Sequence, residues 1–185
     1  MKIGGRGVIA CGFALAVALT GCSGDSSAPD SEIDSPPADL KVSSTAFAEG
    51  AAIPRKHVCA GQGGQNVSPP LTWRGIPEAA RELAIVVDDP DAPGGSYLHW
   101  IVTGVSTTDT GVAEGDSSGK AAPGSSGEAA YAGPCPPSGV HHYHFIVYAL
   151  REPLKPNGDA KAIREQIESL AITSGETIGT WKAQS

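Results

Sequence analysis

Leu83-Ala84-Ile85-Val86-Val87-Asp88-Asp89-Pro90-Asp91-Ala92-Pro93-Gly94-Gly95 is an unbroken apolar run that stops at a proline-stiffened acidic turn. Its apolar part is short, rich in β-branched residues and free of polar alternation, so it fits a strand buried on both faces. Leu98 to Val105 reads as a further strand, with His99 on one face and Trp100 on the other. Val140 to Leu150, rich in aromatic and β-branched residues, reads as the longest strand of the chain. Leu40 to Phe47 alternates and reads as an edge or first strand. Clusters of Gly, Pro, Ser and Asn separate these segments. Ser106 to Ala130 has almost no large apolar residue and reads as a long surface loop, of the kind that is functional or disordered.

One helix stands out. Asn157-Gly158-Asp159 offers an N-cap, and Ile163, Ile167 and Leu170 then recur at helical spacing, with Lys161, Arg164, Glu165 and Glu168 on the other side. The pattern fades at Ser174-Gly175. Its apolar stripe has to pack on something, and a sheet face is the evident partner. The chain therefore reads as mainly β with one packed helix near the C-terminus.

The second informative stretch is Gly133-Pro134-Cys135-Pro136-Pro137-Ser138-Gly139-Val140-His141-His142-Tyr143-His144-Phe145. His141 and Tyr143 share a strand face with Phe145 and Val147, an apolar row with a polar mouth, and both side chains can donate hydrogen bonds to an anion. His142 and His144 fall on the opposite face. In the acidic turn, Asp89 and Asp91 point the same way if the backbone stays extended, and each would raise the other's proton affinity. A solvated acidic turn is the plainer reading of the same residues.

The ends and the composition narrow the setting. Residues 1–21 have a basic start (Lys2, Arg6) and an apolar stretch from Val8 to Leu19, about a dozen residues, too short for a spanning helix. Leu19-Thr20-Gly21-Cys22 resembles a bacterial lipobox, which implies a signal peptide over 1–21 and lipid on Cys22. Several acyl chains, each contributing roughly 0.8 kcal/mol per buried methylene, suffice for stable anchoring. Residues 22–39 are Ser, Asp, Pro and Ala with little to bury and read as a flexible tether, leaving 40–185 as one domain. Loss of the signal takes two of the 13 basic residues and leaves 11 against 20 acidic ones, a net charge near −9. That excludes nucleic acid as an expected partner and makes lipid, not charge, the means of membrane attachment. With Cys11 in the signal and Cys22 lipidated, Cys59 and Cys135 remain as a pair in an oxidising compartment. A Cys59–Cys135 disulfide is expected, the alternative being two buried reduced thiols.

The acid-proline-acid-alanine-proline string with His99-Trp100, and the Pro136-Pro137-x-Gly139-x-His141-x-Tyr143 block, resemble the two signature blocks of the phosphatidylethanolamine-binding protein family. That family includes the Raf kinase inhibitor proteins and their bacterial Raf-kinase-inhibitor-like branch. Cys59-Ala60-Gly61 and Asn66-Val67-Ser68-Pro69-Pro70-Leu71-Thr72-Trp73 are similar to the bacterial branch's segment ahead of the first block, and the likeness runs from about Ala48 to Trp181. The resemblance implies a two-sheet antiparallel β-sandwich with a C-terminal helix. It also implies a pocket for phosphate-like and other small anions, walled by Asp89, His99, Pro136, Pro137, His141 and Tyr143, with Asp91 supporting the loop. Two departures stand out. His142 occupies a position where the family usually has arginine, exchanging a permanent charge for an imidazole. Gly124-Ser125-Ser126-Gly127 lacks an asparagine common in bacterial members.

The expected function is that of a binding protein on the extracytoplasmic face of a membrane, with no cofactor and no catalytic residue. Its ligand is a small anionic or phosphorylated molecule; a zwitterion such as phosphoethanolamine suits a site holding histidines and a carboxylate. Inhibition or modulation of an extracytoplasmic protein partner is the alternative, with the 106–130 loop as its surface. A metal-dependent hydrolase built on His142-Tyr143-His144 with Asp89, Asp91 and His99 is weaker, because no H-E-x-x-H motif accompanies it. No G-x-S-x-G elbow marks a nucleophile.

Overall fold

The computed structural model describes residues 39–184. The expected signal segment, Cys22 and all but the end of the expected tether lie outside the described residues. In chain order the elements are β1 (Lys41–Ser43), β2 (Leu71–Arg74), β3 (Glu82–Asp89), β4 (Tyr97–Val105), β5 (Gly111–Val112), β6 (Lys120–Ala122), β7 (Val140–Leu150), α1 (Ala160–Leu170) and β8 (Ala171–Lys182). A small sheet has the order β1-β2-β5 and a large one the order β6-β4-β3-β7-β8. Every pairing within the two sheets is antiparallel.

The apolar run of β3 has a simple cause. It is a central strand of the large sheet, flanked by β4 and β7, and all eight of its residues are buried. On one face Leu83, Ile85 and Val87 join Leu71 and Trp73 of the small sheet, together with Trp100, Phe145 and Val147. On the other face Ala84 and Val86 meet Ile146, Tyr148, and Ile163 and Ile167 of α1. The mainly-β sandwich with a helix on its outer face is thus the observed architecture. Asp159 caps α1 by accepting the Ala162 N–H at 2.9 Å, and its two isoleucines contribute about 1.5–3 kcal/mol each through burial.

Four local expectations are corrected. The first strand is shorter than Leu40–Phe47. The helix stops at Leu170, and at Ala171 the chain enters β8, a 12-residue strand longer than the 11-residue β7. The helix is therefore followed by a last strand that periodicity did not reveal. Gly175 and Gly179 explain why: a Cβ on Gly175 would lie 2.0 Å from the Leu40 carbonyl oxygen, and one on Gly179 2.5 Å from Ile53. Other segments cross the strand there, so it carries glycine where a strand signal needs bulk. Finally, residues 106–130 are not all loop, since β5 completes the small sheet and β6 edges the large one. At two and three residues, both are too short to show a period.

Candidate functional site

The last residues of β3 serve both sides of the large sheet. Asp88 faces α1, where its carboxylate binds Ser96 and Arg164, and Arg164 also holds Glu168 at 2.8 Å. Asp89 faces the other way and is 3% exposed. Its Oδ2 accepts from His141 Nδ1 at 2.7 Å and lies 3.8 Å from His99 Nε2. The Asp91 backbone N–H donates to Asp89 Oδ1 at 2.9 Å. Burial alone would raise the Asp89 pKa; the imidazoles of His99 and His141 outweigh it and hold the carboxyl below the ordinary carboxylate range. His99 is oriented by the Ala132 carbonyl, 2.7 Å from Nδ1, which places the proton on Nδ1 and turns Nε2 toward Asp89. His141 spends Nδ1–H on Asp89, so Nε2 is the ring atom left for a ligand.

These groups line a cavity of about 550 Å³ together with Pro136, Pro137, Ala92, Pro93, Tyr97, Asn66, Glu128 and both sulfur-bearing residues, Cys59 and Cys135. Asp89, His99, Pro136, Pro137 and His141 are therefore brought together, although more than 50 residues separate Asp89 from His141. Tyr143 is not among the lining residues. It is fully buried behind them, its ring centroid 5.2 Å from His99 and 6.5 Å from His141. Its hydroxyl has no hydrogen-bond partner among the described residues. Burial, reinforced by the Asp89 charge, raises its pKa, so it stays a neutral donor.

Asp91 does not share the cavity with Asp89. The chain turns at Pro90, the extended geometry that would align the two carboxylates ends, and Asp91 Oδ2 instead accepts from the His142 backbone N–H at 2.8 Å and its ring at 2.7 Å. The His142 ring and backbone together hold the Asp91 carboxyl below its ordinary range. The acidic turn is thereby tied to the outer side of β7, while His144 pairs with Glu176 at 2.9 Å on the same side. Among the described residues no cluster of three or more His, Cys, Asp or Glu is arranged to hold a metal ion.

The remaining wall is the irregular segment 123–139 between β6 and β7. Asn66 stitches it down: its amide donates to the Tyr131 carbonyl at 3.0 Å and its oxygen accepts the Gly133 N–H at 2.6 Å. Asn66 itself sits at φ 58°, a conformation asparagine tolerates better than most residues. The Cys59–Cys135 disulfide joins the same two segments, with Cα atoms 5.6 Å apart. Sequence reasoning gave no role to Asn66, Tyr97 or Tyr131. An asparagine and two tyrosines among polar, glycine-rich residues carry no periodic signal, and only the fold shows what they touch.

Comparison with known proteins agrees with this architecture. A model of the phosphatidylethanolamine-binding protein family matches residues 43–182. LppC of Mycobacterium tuberculosis, whose name marks it as a candidate lipoprotein, is 39% identical over 191 aligned residues spanning 92% of this chain and 93% of that protein. Among solved structures, YbcL of E. coli, described as a member of the mammalian family, superposes with a TM-score of 0.73 at 30% identity, covering 80% of this chain and 100% of its own. The Chlamydia trachomatis homologue CT736 gives 0.71 at 32% identity, covering 79% of this chain and 99% of its own. With the fold, the two signature blocks and these relatives in agreement, the chain belongs to the phosphatidylethanolamine-binding protein family.

Proposed function

We propose that this protein is a lipid-anchored binding protein whose cavity takes a small phosphate- or carboxylate-bearing ligand without transforming it. The observation that carries the reading is the convergence of Asp89, His99 and His141 in one cavity. His141 Nε2, fixed in place by the Asp89 bond, is positioned to meet the same ligand.

Charge narrows the ligand further. The cavity lining contains Asp89 and Glu128 and neither lysine nor arginine. A bare multiply charged anion would meet uncompensated carboxylates there. A ligand that brings its own cation, such as a phosphate joined to an amine, satisfies both halves of the site, with the phosphate toward the histidines, whose Nε2 donates in the imidazolium form, and the carboxylate toward the ammonium. The lipobox-like Leu19-Thr20-Gly21-Cys22 and the lipoprotein naming of a relative support attachment to a membrane by lipid. Titration calorimetry tests the reading with phosphoethanolamine, inorganic phosphate and acetate. Heat at millimolar ligand, greatest for phosphoethanolamine and at least about tenfold weaker in His141→Ala, is expected. No heat with any of the three, or binding indifferent to His141→Ala, would reject it.

A further inference from the structure

We infer that the Cys59–Cys135 disulfide is a redox latch on the cavity wall, opened by thiol–disulfide exchange with an extracytoplasmic dithiol. Both cysteines line the cavity; Cys135 is exposed and Cys59 half-buried. The bond therefore lies within reach of a reductant and beside the groups that would hold a ligand. Disulfides that serve only as staples need neither property.

What the bond holds is the second point. No helix or strand exists in residues 123–139, so no sheet ladder fixes this wall. Its ties are the Tyr131 ring, which packs in the core, and scattered hydrogen bonds: Tyr131 and Gly133 to Asn66, the Tyr131 hydroxyl to the His57 carbonyl at 3.0 Å, Ala132 to His99 and Ser125 to Leu98 by two bonds each, the Cys59 N–H to the Pro134 carbonyl at 3.1 Å, and Gln62 to the Pro136 carbonyl at 3.3 Å. Each hydrogen bond is worth about 0.5–1.5 kcal/mol net. The disulfide is the one covalent link among them. The wall also runs straight into β7 and His141, and its Ala132 carbonyl sets the His99 ring. Loosening it frees both imidazoles' surroundings. The core reaches this region through Val58 and Tyr131, but β3 and β7 are held by their own ladder over seven residue pairs. Reduction should thus open the wall without unfolding the sandwich.

The exchange balances without a further reactant. A thiolate of the dithiol attacks Sγ of Cys135, the more exposed of the two residues, forming an intermolecular disulfide and expelling Cys59 as the thiolate. The reductant's second thiol then attacks its own sulfur in that bond and releases Cys135. Two electrons and two protons pass to the cysteine pair, and the dithiol leaves as a disulfide.

The effect on ligand affinity rests on the binding reading above; the opening of the wall does not. The test uses the lipid-free full-length chain, oxidised and after treatment with a dithiol, with Cys59→Ser/Cys135→Ser as a permanent mimic of the open state. Hydrogen exchange read by mass spectrometry is expected to rise in 57–66 and 131–139, while β3 and β7 keep their protection. Unchanged exchange in those segments, or loss of protection across the whole domain, overturns the latch. In calorimetry, the reduced protein is expected to bind phosphoethanolamine about tenfold more weakly, as follows if the wall is closed about a tenth of the time. Equal affinity in both redox states also overturns the latch. If the oxidised protein binds none of the probes, the ligand reading falls, and the exchange data still decide the latch.

Discussion

Replacing Asp89 with asparagine isolates the charge at the centre of the pocket. The substitution keeps size and one acceptor oxygen but removes the carboxylate that His141 meets at 2.7 Å and His99 Nε2 faces at 3.8 Å. A hydrogen bond to a charged group is worth about 1.5–3 kcal/mol, and one such bond is lost while the other acceptor survives. At pH 7 the variant should therefore be less stable by about 1.5–3 kcal/mol, a fall in Tm of about 4–9 °C for a domain of this size. The pH dependence carries the decisive sign. The folded Asp89 carboxyl titrates below its ordinary value of 3.8, so its contribution is complete above that value and disappears as pH falls through the folded pKa. Urea denaturation of wild type and variant at intervals from pH 7 to pH 3 is the assay. The difference should persist at pH 5 and shrink below about pH 4. A difference independent of pH, or an asparagine variant as stable as wild type at pH 7, would refute the assignment of Asp89 as a charged hub.

Other outcomes follow from the same structure. Cys59 and Cys135 are separated by 76 residues, so Cys59→Ser/Cys135→Ser should lose up to about 4 kcal/mol in urea titration through a freer unfolded chain, and remain folded. Asp159→Ala removes the helix cap and should cost about 1 kcal/mol, read as a lower urea midpoint with unchanged m-value. Gly179→Ala puts a methyl group 2.5 Å from an Ile53 carbon and should destabilise by about 1–3 kcal/mol, whereas the same change at Gly127, where nothing lies within 4 Å, meets only the strain of a positive φ. His57 is fully buried and burial lowers its pKa, so the unfolded chain binds the extra proton and wild-type stability should climb from pH 5 to pH 7; His57→Gln should flatten that part of the curve.

The readable parts of the fold were those written in one side-chain type. Leu83 to Val87 could be read as a two-sided strand because a sheet with partners on both faces demands apolar residues at every position. The stripe of Ile163, Ile167 and Leu170 gave the helix, and the alternation at His141, Tyr143 and Phe145 separated the inner face from His142 and His144. What escaped was written in absences. β8 is strand because it pairs with β7 along its length, and Gly175 and Gly179, required where Leu40 and Ile53 cross it, break up its Ile, Thr and Trp residues. β5 and β6 are held by backbone pairing over two and three residues, too few to leave a side-chain pattern. At the site, the resemblance grouped Asp89, His99 and His141, and local pattern did not: the parting of Asp89 and Asp91 depends on a turn at Pro90, and the burial of Tyr143 behind the lining depends on packing from distant segments.

Asp88 and Asp89 send neighbouring carboxylates to opposite sides of one strand, and this restricts how the gene can drift. Gaining or losing a single codon inside Glu82–Asp89 would inherit the wrong parity, delivering the anchor for Arg164 to the cavity and the cavity's carboxylate to the helix. Length changes among descendants of this chain should accordingly accumulate in exposed turns such as 113–119, where no pairing ladder counts residues.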